Sequence, residues 1–200
     1  MPLRPSFVAA LFAWAGSFLF ISRLGTWAPL AILGPLLAIV VLVREPAARA
    51  LLRPRTSLLL LGLLGGAVMT GATYLLFELF ARLAPDLRLL TLGLYNVLRA
   101  PSFTPLERGA LIPLLAISEE IVFRSTALPD SGKGAARAVA LNALIVGAAH
   151  LSSGSLLLAL VAALCGAVWG GMRVATRSCV PGVITHVAWD LAILVFRPLV

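Results

Sequence analysis

Arg137–Arg173, RAVALNALIVGAAHLSSGSLLLALVAALCGAVWGGMR, decides the fold class. Its two terminal arginines enclose 35 residues without a formal charge. As one helix that run would be about 52 Å long, against a hydrocarbon core of about 30 Å. The turn signal Leu151-Ser152-Ser153-Gly154-Ser155 lies within it, so the run reads as two membrane helices joined by a tight connection.

The same pattern continues outward. Arg4 to Arg23, Arg23 to Arg44 and Arg55 to Glu78 enclose 18, 20 and 22 uncharged residues. Each is close to the roughly 20 residues that a membrane helix needs. Of the 200 residues, 60% are hydrophobic and 12% are charged, with a mean hydropathy of +1.03. A soluble domain has roughly 45–50% apolar residues and about a quarter charged. This composition excludes a disordered chain, a secreted disulfide scaffold and an ordinary soluble enzyme.

The expected spans are 6–22, 27–43, 57–81, 108–128, 135–151, 155–175 and 180–197. The segment at the N-terminus, Arg4 followed by Phe7 to Ile21, reads as a retained first span rather than a cleaved signal. Leu87 to Arg99 reads either as an amphipathic interfacial helix or as a short eighth span. The expected fold is therefore all-α, a polytopic bundle of seven or eight membrane helices forming one integral membrane domain over residues 1–200.

The formal charge is +8, and Lys133 is the only lysine among 16 basic residues. The charges lie between apolar segments and form no aromatic-interleaved stripe, so they point to membrane topology and not to nucleic acid. With the N-terminus inside, nine basic residues (Arg4, Arg44, Arg49, Arg53, Arg55, Lys133, Arg137, Arg173 and Arg177) fall on inner loops. Six (Arg23, Arg82, Arg88, Arg99, Arg108 and Arg197) fall outside, which favours that orientation. Cys165 and Cys179 lack metal or redox spacing and read as packing residues.

Ionisable residues within apolar segments carry the functional signal. Glu119, Glu120, His150, His186 and Asp190 all fall there. Each costs about 2.5–3.5 kcal/mol at mid-membrane on insertion scales, so the default reading is a site facing the bundle interior. In Ser118-Glu119-Glu120-Ile121-Val122-Phe123-Arg124, Glu120 and Arg124 share a helix face and can pair, while Glu119 points about 100° away. His150 ends the apolar helix that begins at Val139. Asn142, two turns earlier, reads as a helix–helix hydrogen bond. His186 and Asp190 are neighbours four residues apart, and a carboxylate there can orient the imidazole. Trp189, between them, reads as lipid- or core-facing. One Glu, two His and one Asp on three helices are the parts needed to activate a water and stabilise an oxyanion. A transporter or membrane scaffold with a buried proton relay is the rival class.

Glu119-Glu120-x-x-x-Arg124, then His150, then His186-x-x-x-Asp190 resembles the CAAX protease and bacteriocin-processing (CPBP, or Abi) family of intramembrane proteases. These look like that family's EExxxR, FxxxH and HxxxN/D motifs, over residues 108–196. Val146 stands where the family usually has Phe. Asp190 stands where the prenyl-protein branch has Asn, and an anionic carboxylate cannot donate to an oxyanion.

The resemblance implies an intramembrane endopeptidase. Glu119 is then the base that activates water with His150, and His186 with Asp190 stabilises the oxyanion. Glu120 and Arg124 hold the helix. No cofactor is expected on this reading. The alternative is a zinc enzyme with Glu119, His150 and His186 as its ligands, the usual three of a catalytic site. The implied partners are membrane lipid and a membrane-anchored protein or peptide cut near its C-terminus, for processing or sorting of the myxosortase type. The short, arginine-rich, lysine-poor chain reads as a bacterial inner-membrane protein.

Overall fold

The computed structural model describes residues 5–24, 27–98, 104–129, 132 and 134–200. Arg4, Arg99 and Lys133, counted above for orientation, lie outside the described residues. The chain begins with α1 (Pro5–Leu24), α2 (Ala28–Arg44), α3 (Pro46–Ala50), α4 (Thr56–Leu83) and α5 (Asp86–Leu98). Helix α6 (Pro105–Glu119) runs on through a π-helical stretch, Glu120–Arg124, into the short α7 (Ser125–Ala127). Then come α8 (Ala135–His150), a 3₁₀ turn at Leu151–Ser153, α9 (Leu156–Thr176) and α10 (Val180–Asp190). A second π-helical stretch, Leu191–Phe196, continues α10.

The expectation of seven or eight membrane spans is overturned. Among the described residues, three helical segments are long and apolar enough to cross a membrane: Thr56–Leu83, Ala135–Ser153 and Leu156–Thr176. Phe7–Ile21, Ala28–Arg44 and Val180–Phe196 are shorter apolar helices. Charge spacing overcounts because it measures the distance between charges, not the length of helix between them. The uncharged run from Arg23 to Arg44 includes the connection before Ala28, so α2 keeps 17 residues. That is about 25 Å of helix, short of a bilayer's about 30 Å. At 13 residues α5 is shorter still, so the eighth-span reading fails. One side of α5, at Thr91, Leu94 and Tyr95, is buried, while Leu89, Leu90 and Leu92 are exposed. The segment from α6 to α7 carries Glu107, Arg108, Glu119, Glu120 and Arg124 and is not apolar enough.

The expected turn in the long uncharged run is present. Gly154 adopts φ +81°, a left-handed conformation that only glycine takes without strain, and Ser155 caps α9 by accepting from Leu158 N–H at 3.1 Å. The resulting α8–α9 hairpin packs through small residues. A Cβ on Gly147 would lie 2.8 Å from both Ala159 O and Ala163 Cβ.

Helix α4 meets α10 in the same way. A Cβ on Gly62 would lie 2.7 Å from Ile184 Cβ, and one on Gly66 would lie 2.8 Å from Ala188 Cβ. Such close backbone approach is how helices associate without a hydrophobic driving force between them. The outer side of α4 presents Leu60, Leu63, Leu64, Val68 and Leu75. Gly62→Ala is therefore expected to destabilise the fold by about 1–3 kcal/mol through overpacking. Gly71→Ala, with nothing within 4 Å, is expected to be neutral. Thermal melts of the two variants in detergent check the contrast.

The inner core joins the first helices to the π-turn after α6. Phe7 and Trp14 meet Phe123 edge-on at 5.8 and 5.3 Å. This contact seats the segment that carries the two glutamates.

Candidate active site

Helix α6 is started firmly. Thr104 and Glu107 form a reciprocal capping box, with Glu107 Oε2 accepting from Thr104 N–H at 2.7 Å. The helix then widens directly after Glu119. A π-turn leaves carbonyls without their usual partner four residues on. The Thr126 hydroxyl donates to Val122 O at 2.5 Å, and the Ser125 hydroxyl donates to Ile121 O. The two adjacent glutamates are thereby held at the step between two helical geometries, and they diverge.

Glu119 turns toward α8. Its Oε2 lies 3.9 Å from His150 Nε2. His150 Nδ1 is 2.8 Å from Val146 O and must donate there, because a carbonyl can only accept. That hydrogen bond aims Nε2 at Glu119. Phe18 from α1 packs against the imidazole with ring centroids 4.6 Å apart. Val146, where a Phe is usual in the resembled motif, is fully buried in the core.

Glu120 turns the other way and is fully buried. Its Oε1 accepts from His186 Nδ1 at 3.2 Å, and its Oε2 lies 3.6 Å from Arg124 Nε. Arg124, also fully buried, donates from Nη1 to Asn142 Oδ1 at 2.7 Å. Asn142 Nδ2 in turn donates to Phe123 O at 3.2 Å. The pairing of Glu120 with Arg124 and the helix–helix role of Asn142 follow the sequence reading. The contact between Glu120 and His186 does not appear in that reading. It joins residues far apart in the chain, and no local spacing announces it.

His186 stands between two carboxylates, with Nε2 3.3 Å from Asp190 Oδ2. Trp169 of α9 lies flat on its ring, centroids 3.6 Å apart and planes at 16°. Trp169 went unnoticed in the sequence because it is one more apolar residue in an apolar helix. Trp189 is core-facing, and its indole N–H donates to Thr73 Oγ1 at 2.8 Å. Cys165 and Cys179 are buried free thiols.

Glu119, His150, His186 and Asp190 all line one cavity of about 420 Å³. Its remaining walls are almost wholly apolar and aromatic, with Phe77 and Phe80 of α4, Leu94 of α5 and Trp169 among them. Such a cavity suits an apolar chain segment presented to a few polar groups. A catalytic zinc needs three of these side chains turned to one point. His186 donates from Nδ1 to Glu120, and its Nε2 lies against the Asp190 carboxylate at 3.3 Å. Among the described residues no three His, Cys, Asp or Glu side chains are grouped closely enough to hold an ion. Glu119, His150 and His186 therefore do not fit the three-ligand zinc arrangement as they stand.

Residues 101–192 match the family model described as type II CAAX prenyl endopeptidase Rce1-like. The matched segment contains Glu119, Glu120, Arg124, His150, His186 and Asp190. The chain matches no curated protein and no solved structure. A segment similar to a CAAX-protease-type enzyme and three membrane-length helices together make this a membrane protein. The buried Glu–His pairs are consistent with a protease-like site.

Proposed function

We propose that this chain is an intramembrane endopeptidase that hydrolyses a peptide bond near the membrane in a C-terminal or tail-anchored substrate. The observation that carries the reading is the Glu119–His150 pair, 3.9 Å apart and opening on an apolar cavity. Residues 108–196 form its catalytic core within a single integral membrane domain, 1–200. The substrate is a membrane-anchored protein or peptide, cut for processing or sorting, and the setting is a bacterial inner membrane.

Water held between Glu119 and His150 is the nucleophile. A separation of 3.9 Å is too long for a direct hydrogen bond and suits a shared water. Glu119 takes a proton as the water oxygen attacks the scissile carbonyl, and the carbonyl π electrons move onto oxygen. His186, held at Nδ1 by Glu120, stabilises that oxyanion from Nε2, whose N–H the new anion shares with Asp190. When the tetrahedral intermediate collapses, the proton passes to the leaving amine through Glu119 and His150. The C–N bond breaks and leaves a carboxylate and an amine. Glu120 and Arg124 hold the π-turn. The apolar cavity keeps bulk water away, which strengthens each of these electrostatic contacts.

The test is cleavage of a tail-anchored reporter by the purified protein, with products identified by mass. Asp190→Asn is expected to retain partial activity, because an amide still reaches His186. Its loss should not exceed that of one oxyanion contact, roughly 10²–10³-fold. A completely inactive but folded Asp190→Asn would remove Asp190 from this orienting role. No cleavage by the folded wild type of any reporter in a tail-anchor panel would favour a transporter or scaffold instead.

A further inference from the structure

We propose that Trp169 and Gly182 are positioning residues of this site, forming a slot that sets the plane of the His186 ring and lets Glu120 reach it. The inference rests on the catalytic reading above.

The torsion about the Cβ–Cγ bond of a histidine is broad, and contacts of 3.2 and 3.3 Å to Glu120 and Asp190 leave the ring room to swing on it. An N–H that must meet an oxyanion in one direction needs that rotation stopped. Trp169 stops it, lying 3.6 Å from the ring at 16° from parallel. Trp169 is itself buttressed. Trp189 meets it edge-on, with centroids 6.1 Å apart and planes at 67°. Trp189 is anchored in turn by its hydrogen bond to Thr73. A chain of fixed rings thus runs from α4 through α10 and α9 to His186.

Gly182 supplies the other half. It lies one helical turn before His186 on the same face of α10. A Cβ there would stand 3.1 Å from Glu120 Oε2 and 3.6 Å from Trp169 Cβ. The Glu120 carboxylate occupies the space that any larger residue would take. It cannot give way freely, because Arg124 Nε lies 3.6 Å from the same oxygen. Gly166 does the same for Arg124, where a Cβ would lie 3.1 Å from Nη2. Backbone without side chains on α9 and α10 therefore admits the whole Glu120–Arg124 pair to His186.

The chain has only two histidines, so each ring can be followed separately by nuclear magnetic resonance of the full-length, histidine-labelled protein in nanodiscs. In the wild type, the His186 ring protons should carry the shielding of an indole face. Trp169→Leu is expected to remove that shielding, leave the His150 signals in place and lower reporter cleavage roughly 10²-fold, the scale of a misplaced reacting group. Trp169→Phe keeps an aromatic face and should retain most of both. Gly182→Ala should alter the His186 Nδ1 signal through Glu120 and lower cleavage while sparing His150. If Trp169→Leu fails to fold, the other two variants decide. His186 signals unchanged in Trp169→Leu, or in Gly182→Ala, would overturn the slot, as would a folded Trp169→Phe as inactive as Trp169→Leu. Because the ring signals do not depend on turnover, a wild type that cuts nothing would sink the protease reading and still leave the slot to be judged.

Discussion

Glu119→Gln is expected to lower reporter cleavage by about 10²–10⁴-fold, the usual contribution of a positioned general base. The protein should remain inserted and melt where the wild type melts. The substitution keeps the side chain's volume, and Glu119 faces a cavity and stands 3.9 Å from His150, too far for a direct hydrogen bond that the change would break. Glu120→Gln should behave differently although it alters the neighbouring residue. It removes a carboxylate that serves Arg124 and His186 at once. Both the melting temperature and the rate should therefore fall. Cleavage assays and melts on the same preparations separate the two. Equal loss of activity at equal stability would mean that the division of labour between the glutamates is wrong.

The second large effect is expected at Arg124. Its guanidinium is fully buried, beside Glu120 and bonded to Asn142. Arg124→Leu strips a buried carboxylate of its cation, and breaking a buried pair from one side costs about 3–5 kcal/mol. The double variant Arg124→Leu with Glu120→Gln should recover part of that stability, because no uncompensated charge remains. Unfolding of the single and double variants in mild detergent provides the measurement. A double variant as unstable as the sum of the two singles would show that the pair is not coupled.

The site was more legible in the sequence than the membrane topology. Glu119, Glu120, His150, His186 and Asp190 stood out because charged and polar side chains are expensive in an apolar helix, and a chain keeps them there only for a reason. Their spacing placed Glu120 beside Arg124 and His186 beside Asp190, since partners four residues apart depend only on helix geometry. Glu119 with His150, and Glu120 with His186, are contacts between helices, and sequence spacing is silent on those. The two π-turns were hidden for the same reason. They arise where packing forces an extra residue into a helix, at Glu120–Arg124 and at Leu191–Phe196, each directly after an acidic site residue.

The number of spans was misread because an uncharged run was equated with a helix. Arg23 to Arg44 spans the end of α1, and α2 starts only at Ala28; a helix boundary without charge is invisible to such a count. The break after His150 was found because Gly154 and three serines mark it chemically. Trp169 was missed because its contribution is a flat face. In a list of apolar residues, a ring stacked on a histidine looks the same as one facing lipid.

In the proposed mechanism carboxylate and imidazole, without a metal, activate the attacking water. Purified protein, chelated exhaustively and with its metal content determined on the same sample, should still cut a tail-anchored reporter at the wild-type rate, while Glu119→Gln in parallel should not. Stoichiometric zinc, with cleavage that vanishes on chelation and returns when zinc is added back, would contradict that mechanism.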